Sequence, residues 1–496
     1  MARPPGYGVS PTAWSATTDD TGRIRRPLSP TARRVAFPAP DRYPPGTGLG
    51  DELGAISEVD RAHLVMLAER GLVPREAAVA TLAEIMRLRS VDFAPLRNRE
   101  ARRGLYLLYE DWLVSRLGER TAGASRLGRS RNDLNATVFL LRLRIPYQRL
   151  MAELCRVQAV LLRGARRHRD LVMPAYTHYQ PAFPTTFGHY LAGLALALDR
   201  DLVPLAAAAE ALECCPLGAG AGGGTGVPID PGRTAALLGF SAPVGHSLDA
   251  VASREPALRL LAALAVTGVT LSRVATDLLT WTTAEFGFLW LPDELVGSSS
   301  ALPQKRNPFL LEHVKGKSAA PLGLLVAAAG AVHATPFANS VAVGGEGAPH
   351  VLPALEAVAD AAALLALVLA GVRPRPEVMA DRARRGHTTA AALAEQSVAA
   401  GDLSFREAHH LIGRMLTDDN DGLELPNPVD VVAAAVHGGG PGASPPIEGP
   451  RGRRAAWVRE AAARQRRWSA SRAALDEAVA ALATPERSLT SVGRPM

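Results

Sequence analysis

Three features of the sequence predict an all-α fold with a long central helical bundle. Apolar residues make up 47% of the 496 residues but aromatic residues only 5%, so Leu, Ala and Val must form most of the core. This mixture favours helix over strand. Alternating runs of β-branched residues, which are typical of strands, are nearly absent, and several helix-like apolar runs exceed twenty residues.

The first part of the chain divides into an arm and a helical domain. Residues 1–50 contain many Pro, Gly, Ser and Arg residues without periodicity, and we expect a disordered or loosely docked arm. Helical periodicity then appears in VDRAHLVMLAERGL (59–72) and REAAVATLAEIMRLR (75–89), and predicts an N-terminal helical domain over residues 51–134. The Gly- and Arg-rich segment TAGASRLGRSRND (121–133) closes this domain as a loop.

Long apolar runs predict a central helical bundle over residues 135–372. They cover residues 136–166, 189–213, 254–291, 308–332 and 352–371. Several are apolar on more than one face, as expected in the centre of a bundle or between subunits. Residues 373–496 predict a C-terminal helical domain, which is interrupted by a flexible loop at 437–450.

Charge and cysteine content narrow the class of protein. The chain has 55 basic and 48 acidic residues, a balance compatible with nucleic acid, anionic lipid or small anionic substrates. The aromatic–basic interleaving and zinc-finger spacing of nucleic-acid-binding proteins are missing, so we expect no nucleic-acid partner. Three cysteines without a CxxC pair argue against a disulfide framework or a metal site and fit a reducing cytoplasm. We also expect no membrane span, because Glu356 and Asp360 break the most apolar run.

The segment VGSSSALPQKRNPFLLEHVKGK (296–317) is the first of three candidate functional stretches. Pro303 and Pro308 prevent a regular helix here, so the serines must lie on a loop. The only lysines of the protein also lie here: Lys305, Lys315 and Lys317. An ammonium group can stabilise a carboxylate or enolate as a point charge, whereas Arg presents a planar fork. An anion-binding catalytic loop and a set of helix N-caps are equally good interpretations.

Two further stretches carry polar residues just before long helices. In MPAYTHYQPAFPTTFGHYL (173–191), His178 lies between two prolines beside Thr177 and Gln180, and a structural role is as well supported as a catalytic one. GRSRND (128–133) is suited to bind a carboxylate, although a solvated turn that caps the next helix fits equally well. The glycines of GAGAGGGTG (218–226) match GxGxxG, but no predicted strand precedes them, so no dinucleotide cofactor is predicted.

Taken together and in this order, the three stretches resemble the conserved regions of the fumarase/aspartase superfamily, and among its members most closely those of the argininosuccinate lyases. SSSALPQKRNP (298–308), here called the signature loop, is similar to GSSxMPxKxN, MPAYTHYQPAFPTTFGHYL to MPGYTHLQ-A-Q-P-x-T-FGHYL, and GRSRND to the end of HTGRSRND. Other similar segments are VPIDPGRTAALLGF (227–240), HSLDAV (246–251), EFGFLWLPD (285–293), GHTTAAALAE (386–395) and SFREAHHLIG (404–413). The resemblance covers roughly residues 55–440.

This resemblance implies a three-domain, all-α, cytoplasmic lyase that needs neither cofactor nor metal. Such an enzyme expels a nitrogen leaving group from a small anionic, succinate-like substrate by anti elimination. The resemblance also implies a homotetramer, in which the central helices of four subunits form one core. Each active site would then gather loops from three different subunits.

The same resemblance assigns roles in removing the proton and holding the anion. Ser299 matches the mobile-loop serine that removes the proton beside the carboxylate, and Ser300 follows it. Lys305 and Asn307 match the residues that hold the substrate carboxylate and the carbanion-like intermediate. A fixed cation and loop N–H groups are what an elimination beside a carboxylate requires, because negative charge develops there.

The remaining roles concern the leaving nitrogen and substrate binding. His178 matches a histidine that pairs with a glutamate, here Glu312, and that helps to protonate the leaving nitrogen or organises water. A base and an acid on opposite sides of the substrate complete an anti elimination. Substrate contacts are assigned to Thr177, Gln180, Ser130, Arg131 and Asn132.

Several positions depart from the argininosuccinate lyase pattern. The His-Thr pair before GRSRND is Arg126-Leu127, a family serine is Asp60, and a family histidine falls near Tyr106. The family segment TYNRDLQEDK, whose Tyr, Gln and Lys hold the amino-acid end of the arginine moiety, is ANSVAVGGEG (338–347). The residues at those three positions are Asn339, Gly344 and Gly347.

These departures favour a paralogue that acts on a different N-substituted succinate, in specialised metabolism. Argininosuccinate lyase of arginine biosynthesis is the alternative within the same class. A catalytically silent structural relative is the alternative from another class, although the retained Ser299, Lys305, His178 and Glu312 argue against it.

Overall fold

The architecture is given by a computed structural model, which describes residues 29–36, 49–97, 99, 101, 104–253, 255–401, 403–417 and 423–484. In this part of the chain every element longer than seven residues is a helix, which confirms the all-α prediction. The N-terminal helices are α1 (Pro30–Ala36), α2 (Leu49–Glu69), α3 (Arg75–Ser90), α4 (Ala94–Arg97), α5 (Leu105–Leu117) and α6 (Glu119–Ala122).

The middle of the chain contains the longest helices. They are α7 (Arg131–Arg167), α8 (Phe187–Glu210), α9 (Pro231–Leu237), α10 (Ser247–Ala252), α11 (Glu255–Thr282), α12 (Phe309–Val332) and α13 (Val351–Gly371). The C-terminal helices are α14 (Pro376–Arg385), α15 (Ala390–Ala399), α16 (Phe405–Thr417), α17 (Pro428–Ala434) and α18 (Glu448–Ala483).

Three small two-stranded sheets accompany the helices. An antiparallel hairpin is formed by β1 (Val172–Thr177) and β2 (Gln180–Thr186). The other pairs are β3 (Cys214–Cys215) with β4 (Ala242–Pro243), which is parallel, and β5 (Leu289–Trp290) with β6 (Arg373–Pro374), which is antiparallel. The hairpin was not predicted, because prolines interrupt the alternation that identifies a strand.

The main hydrophobic core lies among α7, α8, α11, α12 and α13, which pack side by side. These helices are apolar on most faces, as the sequence predicts for a central bundle. One acidic residue is buried among them: Asp360 on α13 is 1% exposed and forms ion pairs with Arg149 of α7 and Lys317 of α12. Two cations therefore compensate the buried carboxylate and tie three helices together.

A second core joins parts of the chain that the sequence divides between domains. It is formed by α2, α3 and α5, together with Leu134 and Val138 of α7 and Leu475 and Leu482 of α18. The last helix thus runs from the central bundle to the N-terminal helices. The boundaries predicted at residues 134 and 372 remain predictions.

Part of the predicted arm packs on the bundle. In α1, Ala32 and Val35 are almost completely buried in the main core. This short helix is therefore docked, while residues 1–28 and 37–48 of the predicted arm lie outside the described residues.

Two segments, Glu255–Thr282 and Ala342–Gly371, are long and apolar enough to cross a membrane by length and composition alone. In the fold, most of the apolar window in each lies buried against neighbouring helices. Burial within a bundle explains helices that are apolar nearly all round.

Candidate active site

The signature loop has a fixed neck and an exposed tip. Gly297 and Asn307 exchange two backbone hydrogen bonds of 2.7 and 3.0 Å, which close the loop at its base. Arg306 holds the same end, because its guanidinium binds Asp293 and the carbonyl of Leu291. Residues 300–305, at the tip, are exposed.

Ser299 lies at the start of this tip and has a defined environment. Its Oγ accepts hydrogen bonds from the backbone N–H groups of Ala301 (3.3 Å) and Leu302 (3.0 Å). Hydrogen bonds donated to an oxygen stabilise its negatively charged form. This arrangement is suited to a serine that must lose its proton in order to act as a base.

The other predicted residues of this segment surround the same loop. The Asn307 amide donates to the Ser298 carbonyl (3.4 Å), and the backbone N–H of Lys305 donates to the Leu302 carbonyl (3.1 Å). The Lys305 and Ser300 side chains lie on the exposed tip. Lys305 forms no ion pair with any residue that the structure describes, so its ammonium is available to an anion.

Glu312 is in the first turn of α12 and lines a groove of about 530 Å³. His313 and Lys317 line the same groove. Partial burial and the Lys317 charge lower the pKa of His313, while Glu312 opposes this effect. His313 was not identified from the sequence, where a single histidine on a helix carries no signal of its own.

His178 lies at the tip of the β1–β2 hairpin. Thr177 and Gln180 face each other across the hairpin, and His178 and Tyr179 form the two-residue turn between them. Both turn residues have positive φ, 49° and 61°, which is unusual for side chains of this size. Backbone strain of this kind is concentrated at functional sites, and the four residues are exposed.

The GRSRND segment forms the start of the 37-residue helix α7. Ser130 is its N-cap, accepting a hydrogen bond from the N–H of Asn132 (3.3 Å). Asp133 completes a capping box by accepting from the N–H of Ser130 (2.9 Å). The capping role that the sequence left open is therefore present, and Arg131 and Asn132 lie in a first turn where an anion is stabilised.

Asp133 also connects this segment to the glycine-rich run. Its second oxygen accepts hydrogen bonds from the N–H groups of Gly218 and Gly220, both 2.9 Å. Burial raises the pKa of Asp133, an effect that the donors on Ser130, Gly218 and Gly220 oppose. The run predicted as a mobile loop is thus anchored to the start of α7 at its first two glycines.

The positions that depart from the family pattern are also well defined. Asp60 on α2 forms a buried ion pair with Arg129, and Arg126 binds the carboxylate of Glu110 on α5 through two hydrogen bonds. In the 338–347 segment, Gly347 is buried, and a Cβ there would lie 2.8 Å from Cγ1 of Val332. That close packing leaves little room for a lysine side chain at Gly347.

Within a single chain the three candidate stretches stay apart. No hydrogen bond or ion pair between described residues connects the GRSRND segment, the tip of the hairpin and the signature loop. His178 and Glu312, in particular, form no printed contact with each other in one chain. As for metals, the described residues contain no group of three or more His, Cys, Asp or Glu side chains that could hold an ion.

Comparisons with known proteins agree with the fold and with the loops. A family model described as a lyase matches residues 117–323. The argininosuccinate lyase of Methanoculleus marisnigri is 36% identical over 356 residues, which are 72% of this chain and 72% of the relative. The argininosuccinate lyase of Thermus thermophilus is 39% identical over 360 residues, which are 72% of this chain and 77% of the relative. Among solved structures, an EDDS lyase variant with bound fumarate has a TM-score of 0.83 and 25% identity, covering 95% of this chain and 99% of that one.

The helical fold and the motif-bearing loops define a lyase of the fumarase/aspartase superfamily. Within this superfamily the chain belongs to the argininosuccinate lyase-like proteins and is a carbon–nitrogen lyase.

Proposed function

We propose that the protein cleaves the carbon–nitrogen bond of an N-substituted succinate by anti β-elimination, releases fumarate or an analogue, and differs from argininosuccinate lyase in the amine that leaves. The observation that carries the chemistry is the environment of Ser299. Two backbone N–H groups point at its Oγ, and the exposed Lys305 lies on the same loop tip. A base and a cation are thus available on one exposed loop.

In the proposed reaction Ser299 takes the proton from the carbon beside the substrate carboxylate. The electron pair of that C–H bond becomes the new C=C bond, and the C–N bond breaks. Lys305 and Asn307 hold the carboxylate on which negative charge develops before the bond breaks. On the other side of the substrate, His178 and Glu312 deliver a proton to the leaving nitrogen or to a water molecule beside it.

The proposed difference in the leaving amine rests on the 338–347 segment. Asn339, Gly344 and Gly347 stand where argininosuccinate lyases have Tyr, Gln and Lys. The chain has neither Lys nor Arg between residues 318 and 372. The amino-acid end of an arginine moiety, with its carboxylate, would therefore find no cation in this segment.

A panel of N-substituted succinates tests this function. We expect the purified enzyme to release fumarate, followed by its ultraviolet absorbance, from at least one member other than argininosuccinate. The Ser299→Ala variant is the control for a contaminating lyase, because it should release fumarate far more slowly. If wild-type protein released fumarate from no member of the panel, the proposed function would be wrong.

We further propose that the protein is a cytoplasmic homotetramer with active sites shared between subunits. Val266 and Val269 on α11 are 58% and 44% exposed in one chain, and Leu322 and Val326 on α12 are 47% and 72% exposed. Burial of these side chains between subunits would be favourable. Assembly would also bring together the loops that a single chain keeps apart.

We expect native mass spectrometry at micromolar concentration to give four chains per particle. Mixing two inactive variants, Ser299→Ala and His178→Ala, under conditions that exchange subunits should restore activity, because some mixed sites receive both wild-type loops. Each variant incubated alone is the control. A stable monomer, or exchange of subunits without recovery of activity, would contradict a shared site.

A further inference from the structure

Behind the GRSRND segment, three positions that depart from the argininosuccinate lyase pattern belong to one connected network. Its centre is the pair of Asp60 on α2 and Arg129, whose side chains are 1% and 2% exposed. Their charged atoms, Oδ1 of Asp60 and Nη1 of Arg129, lie 2.7 Å apart. Burial disfavours the charged form of Arg129, but the charges of Asp60 and Tyr106 outweigh this and raise its pKa above the ordinary value.

The network continues from Arg129 to the surface through α5. Nη2 of Arg129 donates to the hydroxyl of Tyr106 (3.3 Å), and that hydroxyl donates to Oε1 of Glu110 (3.3 Å). Arg126 binds both oxygens of Glu110 and is 56% exposed. Each buried charge therefore has a partner, and the partners of Arg129 come from two different helices.

The backbone around Arg129 is held at neighbouring points as well. Nε2 of His63 on α2 lies 2.8 Å from the carbonyl oxygen of Leu127. Gly128 has a φ of +72°, and a Cβ there would lie 2.7 Å from Cγ2 of Ile229, so the chain follows a path that favours glycine. The segment leading into Ser130 thus has little freedom to move.

We propose that Asp60 is a positioning residue for substrate binding: through Arg129 it fixes the backbone that presents Ser130, Arg131 and Asn132 to a substrate carboxylate. Tyr106 completes the same unit from α5. The inference rests on the proposed function, because it takes these three residues as carboxylate ligands. Asp60 does not itself bind the substrate, since its carboxylate is buried against Arg129.

The test compares Asp60→Asn, which keeps the shape and removes the charge, with Asp60→Glu, which keeps the charge. We expect Asp60→Asn to raise KM at least about tenfold while kcat changes little, because the contacts it loosens act equally on ground and transition states. Asp60→Glu should restore much of the lost affinity. Tyr106→Phe, which removes one hydroxyl, should raise KM in the same direction by a smaller factor.

A matched control is available on the same helix. Arg61 follows Asp60 on α2, is 1% exposed and pairs with Asp476 of α18. Asp476→Asn removes a partner of that buried arginine without touching the GRSRND segment. We expect it to lower Tm and leave KM unchanged.

Calorimetric titration of each tetramer with fumarate gives a second measurement that does not depend on turnover. If wild-type protein binds fumarate but cleaves no member of the panel, the proposed function fails while the fumarate Kd still tests the role of Asp60. If Asp60→Asn lowers Tm as Asp476→Asn does and changes neither Kd nor KM, Asp60 is structural only and the inference is wrong. If wild-type protein binds no fumarate, the inference fails with its premise.

Discussion

Replacing Lys305 by Arg is expected to lower kcat by about two orders of magnitude or more, the cost of losing one well-placed stabiliser of a developing anion. The substitution keeps the positive charge and changes only its shape and reach. Lys305 is one of only three lysines in a chain whose other 52 basic residues are Arg. A position that keeps Lys against such a preference is expected to need a compact ammonium group.

Steady-state kinetics on the best substrate of the panel measures this effect. Lys315→Arg is the matched control, since Lys315 is also exposed and lies ten residues further along, on α12. Ser299→Ala should reduce kcat to a comparable extent, as expected for the removal of a general base. Near-wild-type activity of Lys305→Arg would remove both the argument from lysine rarity and the assigned role.

Much of the fold could be predicted because its helices are long and strongly apolar. The run predicted at 308–332 is α12 almost to the residue, and the one at 352–371 is α13. The start of α7 at Arg131 follows from local chemistry, since Ser130 and Asp133 form a capping box three residues apart. The hairpin that carries His178 was missed, because its turn residues, His and Tyr, are not those that usually mark a two-residue turn.

The site was harder to predict, because its parts are distant in the sequence. Motifs identified the signature loop and the GRSRND segment, in which neighbouring residues act together. The Asp60–Arg129 pair joins residues 69 positions apart, and nothing near Asp60 in the sequence indicates its partner. Arg126 was expected to face the site, and it remains half exposed, whereas Asp60 is buried behind the loop.

The protein is expected to cleave argininosuccinate several powers of ten less efficiently than a housekeeping argininosuccinate lyase. Identities of 36% and 39% to enzymes of that name make this the sharpest test of the proposed paralogue. The expectation comes from the residues now at three contact positions, Asn339, Gly344 and Gly347. Each lost contact to a charged group is worth roughly 1.5–3 kcal/mol, and every 1.4 kcal/mol is about a factor of ten in affinity.

Simple compensation within this segment is difficult. Gly347 is packed against Val332, so the position cannot accept a long cationic side chain without movement of α12 or of the backbone. Arg126 is the exposed cation nearest in sequence to the GRSRND segment outside it, but Glu110 already binds its guanidinium through two hydrogen bonds. A free arginine carboxylate would have to compete with that pairing.

The decisive experiment expresses the gene in a bacterium that lacks its own argininosuccinate lyase and asks for growth without arginine. The Thermus thermophilus relative, expressed in the same strain, is the positive control, and kcat/KM of both purified enzymes for argininosuccinate gives the size of the difference. We expect growth with the control only. Robust growth with this protein, together with a kcat/KM within about tenfold of the control, a gap of only about 1.4 kcal/mol, would show that other residues hold the arginine moiety and that the protein serves arginine biosynthesis.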